Sequence, residues 1–231
     1  MTVIIGLRYD GGVILAADSL VSGGYLPEFI RKPYEFPLET GGVLVAGGAG
    51  TYGHIDAAMD NLKSECTTLL ASAETQQLAK EAGMRALNRT AKTHGKNLDA
   101  QFLVAARCRR TVGLFSLVLN PDTGKAMAQP ITRFAVLGSG SYPAQYLFAR
   151  LWPRKAIPTR EQAERMALYV IDELVAAKVH GCGGATRLRT VTAVPFAEVA
   201  HASNDKKRQM RALMQPYLAK ADRLRSTAIW G

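Results

Sequence analysis

The chain has 231 residues, 48% of them hydrophobic, which is enough for a sizeable core in one large domain and too apolar for a disordered or fibrous polymer. The formal charge is +10, gathered at residues 107–110, 150–155 and 206–225. Few aromatics interleave these charges, so solvated helix faces account for them better than a nucleic-acid surface. No apolar stretch approaches the roughly 20 residues of a membrane span and no secretory leader pattern opens the chain, so a cytoplasmic protein outside any membrane is expected. Cys66, Cys108, Cys182 and the four histidines show neither CxxC nor metal-ligand spacing, which excludes a disulfide framework and a zinc site, and no cofactor is expected.

Residues 3–9 carry the β-branched content of a strand, Asp10-Gly11-Gly12 is a turn, and Val13 to Ala17 is a second apolar run, so the chain opens with an antiparallel hairpin. Gly23-Gly24, Pro27, Pro33 and Pro37 make residues 19–42 loop and short strand, and Val43 to Ala46 reads as a brief buried strand ending at Gly47-Gly48. From Thr51 the period turns helical, with Ile55, Met59 and Leu62 inward. A second helix is predicted over about residues 75–94, with Leu78, Met84 and Leu87 inward.

Residues 101–107 and 111–119 then read as strands, 120–124 as a turn and 125–137 as a broken strand, forming a second antiparallel region. After Gly138-Ser139-Gly140-Ser141 comes a short helix with Tyr146, Leu147 and Leu151. Thr159 with Gln162 three residues on is a capping box, opening a helix that buries Met166, Val170, Ile171 and Leu174 and stops at Gly181. Residues 187–194 and 196–200 are predicted strands, and a basic helix covers about residues 203–226. The expected class is α+β, a four-layer αββα sandwich of two antiparallel sheets between helical layers, built as a single domain over residues 1–231.

Chemistry concentrates at the amino terminus. Removal of Met1 before a small second residue would leave Thr2 with a free α-amine, whose ordinary pKa of roughly 7.7 to 8.0 suits a general base at neutral pH. One residue then supplies both nucleophile and base. The return strand of the first hairpin ends at Asp18 and Arg31-Lys32 follows, so a carboxylate and a cation are available. The cation would lower the pKa of the amine and support a developing alkoxide, while the carboxylate balances the cation.

Gly48-Ala49-Gly50-Thr51-Tyr52-Gly53 is a literal GxGxxG with Glu74 about 20 residues on. Its strand belongs to an antiparallel region and its helix leads into another helix, so no βαβ unit surrounds it and a dinucleotide site is not expected.

Thr2, Ala17-Asp18-Ser19, Ser22-Gly23-Gly24-Tyr25, Arg31-Lys32, Val45-Ala46-Gly47 and Gly138-Ser139-Gly140-Ser141 together resemble the proteasome β-subunit family of amino-terminal nucleophile hydrolases. Among its bacterial branches, the compact length is similar to HslV-type peptidases and the betaproteobacterial proteasome homologue. The resemblance implies a threonine endopeptidase acting on unfolded polypeptides inside stacked rings of identical subunits. A separate ATP-driven unfoldase is the implied partner, because this sequence carries no ATPase motif. It further implies Thr2 as nucleophile, Asp18 and Lys32 as its charge partners, the Gly47 N–H as oxyanion donor and Ser139 as a nearby hydrogen-bonding residue. The implied substrate pocket comprises Val21, Ser22, Ile30, Tyr34, Val45 and Ala49, an apolar lining that suits uncharged residues.

One stretch departs from the family, which has an acid and a serine before a late strand where this sequence has Val179-His180-Gly181-Cys182-Gly183-Gly184. With Cys182 at the serine position, the acid position falls on Val179. Two other outcomes follow from the same residues: an inactive structural ring subunit that keeps Met1, or a Cys182–His180 pair, for which nothing in the sequence orients the histidine.

Overall fold

A computed structural model of the chain describes residues 2–21, 28–29, 32–38, 41–70, 75–95, 98–153 and 156–193. The hairpin of β1 (Val3–Tyr9) and β2 (Gly12–Ala17) is buried along almost its whole length. It forms the centre of a four-stranded antiparallel sheet, flanked by β10 (Phe134–Gly138) on one side and β11 (Arg187–Thr192) on the other. Short strands β3 (Leu20–Val21) and β4 (Glu28–Phe29) pair outside it. A five-stranded antiparallel sheet contains β5 (Tyr34–Pro37), β6 (Val43–Gly50), β7 (Ala100–Cys108), β8 (Thr111–Leu119) and β9 (Ala126–Pro130), in that order.

The inner faces meet in an apolar cluster of Ile4, Val13, Leu15, Ala17, Val43, Val45, Leu103, Ala105, Leu114 and Val191. Side chains alternating to opposite faces of each strand make this possible, since the inward residues of both sheets are apolar. On the outer face of the five-stranded sheet lie α1 (Tyr52–Leu69) and α2 (Gln76–His94). On the outer face of the other lie α3 (Ser141–Leu151) and α4 (Arg160–Ala176). The four-layer αββα order expected from the sequence is the observed one.

The capping box at α4 forms as expected, with the Thr159 side chain accepting from the Gln162 N–H and the Gln162 side chain accepting from the Thr159 N–H. Met166, Val170, Ile171 and Leu174 are buried, although α4 ends at Ala176 and a turn continues to Gly181. In α2 the expectation needs correction. Its innermost stripe is Ala79, Ala82, Gly83 and Ala86 together with Leu87, while Leu78 and Met84 are only partly buried. Small residues let the helix approach the sheet closely: a Cβ on Gly83 would collide with the Leu117 side chain.

Two further corrections concern strands. β6 runs through Gly47-Gly48 to Gly50, because β7 pairs with it residue for residue over that whole length. Residues 126–138 also form two strands in different sheets, β9 beside β8 and β10 beside β1. The region after the helices is therefore not a sheet of its own. β7, β8 and β9 extend the sheet begun by β5 and β6, and β10 crosses to the hairpin. The predicted strand at 196–200 and the basic helix at 203–226 lie outside the described residues.

Candidate active site

Where β1 begins and β2 ends, Asp18, Lys32, Gly138 and Ser139 meet Thr2, which is 4% exposed. The Thr2 hydroxyl donates to Asp18 Oδ1. The same oxygen accepts the Val3 N–H at 3.1 Å. Asp18 has no exposed surface, and its second oxygen accepts the Gly183 N–H at 3.0 Å. Pairing of Ile4 with Ala17 fixes this arrangement, since it places the residues just beyond, Thr2 and Asp18, at the same end of the hairpin.

Lys32 arrives just before β5. Its Nζ donates to Thr2 Oγ1 at 2.6 Å and to the Leu20 carbonyl at 2.7 Å, and lies 3.7 Å from Asp18 Oδ1. Burial pushes the Lys32 pKa below the ordinary lysine range, and the neighbouring Asp18 carboxylate partly offsets that shift. A cation donating to the oxygen and a carboxylate accepting its proton polarise the Thr2 hydroxyl from both sides.

β6 crosses β1 at this point. A Cβ on Gly47 would lie 2.6 Å from Ile4 Cγ2, so only glycine lets the strands approach. Gly47 also lies one residue beyond the last β5–β6 pair, Tyr34 with Ala46. From there to Gly50, β6 has β7 on one edge and no pairing strand among the described residues on the other. On the opposite side of Thr2, Gly138 has a φ of 95° and a Cβ there would collide with the Thr2 carbonyl oxygen. The exposed Ser139 donates its hydroxyl to that same carbonyl at 3.4 Å. Gly138→Ala is therefore expected to destabilise the fold by about 1–3 kcal/mol through left-handed backbone strain and to displace Thr2. Thermal denaturation checks the first effect, and an unchanged midpoint would show that this turn relaxes freely.

The implied pocket residues separate. Val45 and Ala49 are buried, and the alternation of β6 puts both on the face that carries Gly47. Tyr34 pairs with Ala46 and packs against the helical side, so it lies on the other face of the sheet from Val45. Burial, with Tyr52, Asp56 and Asp60 nearby, pushes its phenol up to about 12. Val21 takes part in β3 through its backbone, whereas Ser22 and Ile30 fall outside the described residues.

The loop after α4 is stitched to the site by Gly183 N–H to Asp18, by Leu20 N–H to the Gly183 carbonyl at 3.1 Å, and by Ala185 N–H to Ser19 Oγ at 2.8 Å. These backbone contacts had no signal in the sequence beyond the glycines themselves. Val179 brings no polar side chain; its carbonyl accepts the Cys182 N–H and its N–H donates to the Leu174 carbonyl, each at 3.0 Å. His180 is exposed, while Cys182 is buried and its thiol is pushed up to about 11, chiefly by burial and the Asp18 charge. A protonated thiol is a poor nucleophile, which removes the basis for a Cys182–His180 pair. Two of the three GxGxxG glycines have packing roles, whereas a Cβ on Gly53 would meet nothing within 4 Å. A Cβ on Gly48 would strike Ile55 and Phe102, and Gly50, at a φ of 131°, lies against the Asp99 carbonyl. Among the described residues, no group of three or more His, Cys, Asp and Glu could hold a metal ion, and no helix is long and apolar enough to cross a membrane.

Two antiparallel sheets between two helical pairs, with a threonine entering a central strand at the sheet end, define the amino-terminal nucleophile hydrolase fold. The chain belongs to the proteasome subunit family, whose model, described as "Proteasome subunit", matches residues 2–186. Similar solved structures include a Gly-1 mutant of Anbu from Hyphomicrobium sp. strain MC1, at 15% identity and TM-score 0.75, with 96% of each chain covered. Anbu from Yersinia bercovieri, described as an ancestral β-subunit, has 16% identity and TM-score 0.75 with 95% of each chain covered. The helical assembly of the Anbu complex from Pseudomonas aeruginosa gives 19% identity and TM-score 0.71, covering 97% of this chain and 96% of that one. These likenesses establish the fold. A comparison with curated protein sequences gives no match.

Proposed function

We propose that the chain is a threonine-type endopeptidase working inside an assembly of identical subunits on unfolded polypeptides. The observation that carries this reading is the buried constellation in which the Thr2 hydroxyl lies between Asp18 and Lys32. Membership of the proteasome subunit family supports the same reading. With Met1 removed, the Thr2 α-amine takes the hydroxyl proton as Oγ1 attacks the scissile carbonyl carbon, and Lys32 stabilises the oxygen as it gives up that proton. The tetrahedral oxyanion is held by the Gly47 N–H. Its collapse breaks the peptide bond, the amine returns the proton to the leaving nitrogen, and an ester to Thr2 remains. Water, deprotonated by the same amine, hydrolyses that ester and restores the site. Val45 and Ala49 give the pocket an apolar wall, in keeping with uncharged residues before the scissile bond.

Assembly into rings or a helix of copies would enclose such a site, and the Pseudomonas aeruginosa relative is described as a helical assembly. Substrates would then be delivered by a separate ATP-driven unfoldase. A cytoplasmic setting suits such a partner.

Treatment with a threonine-directed electrophile followed by intact and peptide mass spectrometry tests the reading directly. The adduct is expected on Thr2, only in molecules lacking Met1. A Met1-free protein that takes no adduct would overturn it. It would favour the second reading, a structural subunit, which draws on Val179 standing where the family has an acid.

The activity is expected to follow a bell-shaped pH profile. Below the pKa of the Thr2 amine, ordinarily roughly 7.7 to 8.0 and lowered by the adjacent Lys32 charge, the base is occupied by a proton and the rate falls. Above the pKa of Lys32, which burial brings below the usual lysine value of 10.5, the cation disappears and the rate falls again. Measuring kcat/KM across about pH 6 to 10 checks both limbs, and a flat profile would exclude these groups.

A further inference from the structure

Arg189 is a charged residue where its neighbours are apolar. It is 9% exposed and pairs in register with Leu15, which belongs to the cluster between the sheets, as does Val191 two positions on. Residues directly opposite on adjacent strands share a face, so the Arg189 side chain points between the sheets. Glu35 pairs with Val45, another member of that cluster, and so points inward from the five-stranded sheet. The two charges meet across the gap, with Arg189 Nε 3.3 Å from Glu35 Oε2. An ion pair in place of apolar packing adds little stability, and its best use is to fix which segments meet.

The segment fixed here carries Lys32. Lys32 and Glu35 are three positions apart, and their partners are matched to that spacing, since Asp18 lies three positions after Leu15, the residue beside which Arg189 runs. The segment is therefore attached at two points of opposite polarity, cation to carboxylate at Lys32 and carboxylate to cation at Glu35. A slip bringing Lys32 toward Arg189, or Glu35 toward Asp18, would set like charges together. β5 itself has only four residues and forms an edge of its sheet, with β6 as its pairing strand. We propose that Glu35 and Arg189 are positioning residues for Lys32, pinning its segment across the two sheets so that its Nζ stays on Thr2 Oγ1. This rests on the threonine-peptidase reading.

The test is kcat, KM and the pH profile of peptide hydrolysis for the wild type, Glu35→Gln, Arg189→Met and the double variant, each as the full chain with Met1 removal verified by mass. Each single variant is expected to lower kcat by about 10- to 100-fold with KM little changed. The double variant is expected to lose no more than either single one, because both act through one pair. It leaves no uncompensated charge, so it carries the test even where a single variant folds poorly. The titratable groups acting on Lys32 are Asp18 and Cys182, with the Thr2 amine beside them once Met1 is gone. Loss of position opens Lys32 to water and relieves the burial that lowers its pKa, so the alkaline limb is expected to move to higher pH in both single variants. A purely through-space effect would move it in opposite directions, since the two substitutions remove opposite charges. Labelling of Thr2 by the threonine-directed electrophile should slow in step with kcat. Single variants within 2-fold of wild type, losses that multiply in the double variant, or an alkaline limb that falls in Glu35→Gln would each overturn this inference and leave the peptidase reading standing. A Met1-free wild type that neither hydrolyses peptide nor takes label would overturn both.

Discussion

Thr2→Ala is expected to reduce peptide hydrolysis by on the order of 10⁴-fold or more while the chain remains folded. Under the proposed mechanism the loss is large because the substitution removes the attacking oxygen, and no other nucleophile among the described residues of the site replaces it. Cys182 is protonated and buried, and Ser139 reaches only the Thr2 carbonyl. Alanine, like threonine, permits removal of Met1, so the base survives and only the nucleophile is lost. Folding is expected to persist because Asp18 keeps the Val3 and Gly183 N–H groups and Lys32 lies 3.7 Å from Asp18, near enough to close on it. Thr2→Ser, which retains hydroxyl and amine, should keep measurable activity. Wild-type turnover in Thr2→Ala would sink the assignment of Thr2. A wild type no faster than Thr2→Ala, with Met1 absent and the fold intact, would identify an inert subunit.

The second large effect concerns Asp18. Asp18→Ala is expected to remove activity and also to destabilise the fold by about 3–5 kcal/mol, the usual consequence of stripping one partner from a buried ion pair. For a chain of this size that corresponds to a fall in Tm of roughly 6–20 °C, measured at fixed protein concentration. The carboxylate joins three segments: Thr2 and Val3 at the start of β1, Lys32 before β5, and Gly183 in the loop after α4. Its removal leaves the buried Lys32 charge uncompensated and strands two N–H donors, Val3 and Gly183, away from water. A double variant, Asp18→Asn with Lys32→Met, removes both charges. It should be equally inactive but more stable than Asp18→Ala, since the desolvated charge is gone. A Tm for Asp18→Ala within about a degree of wild type would mean that the carboxylate does not join these segments.

The contrast between these two substitutions separates chemistry from architecture at the site. Thr2 lies at the end of a strand and its hydroxyl is held by groups that have other partners. Asp18 is the shared partner, and its loss frees everything attached to it.

Much of this was legible from residue order. Period-2 apolar runs separated by Asp10-Gly11-Gly12 specify the first hairpin. Hairpin pairing is local, so the meeting of Thr2 with Asp18 follows from the turn and the strand lengths. The capping box at Thr159 and the core face of α4 were likewise readable, because caps and helical periodicity involve residues three or four apart. Local signals also put Lys32 near the site in order, although not in contact.

Tertiary packing alone decided the rest. Nothing local distinguishes β9 from β10, yet one completes the five-stranded sheet and the other flanks β1. The close approach of β6 to β1 needs Gly47 against Ile4, a contact between residues 43 positions apart. β6 continues through its glycines because β7 supplies the hydrogen bonds that those residues' own propensities do not favour. The bond from Gly183 to Asp18 spans 165 positions, and the same loop sets Cys182 Sγ against Gly140. Sequence by itself determined which residues could act, through side-chain chemistry and short-range geometry. Only the folded sheets decided which of them meet, because long-range contacts depend on burying apolar faces that no short window of sequence contains.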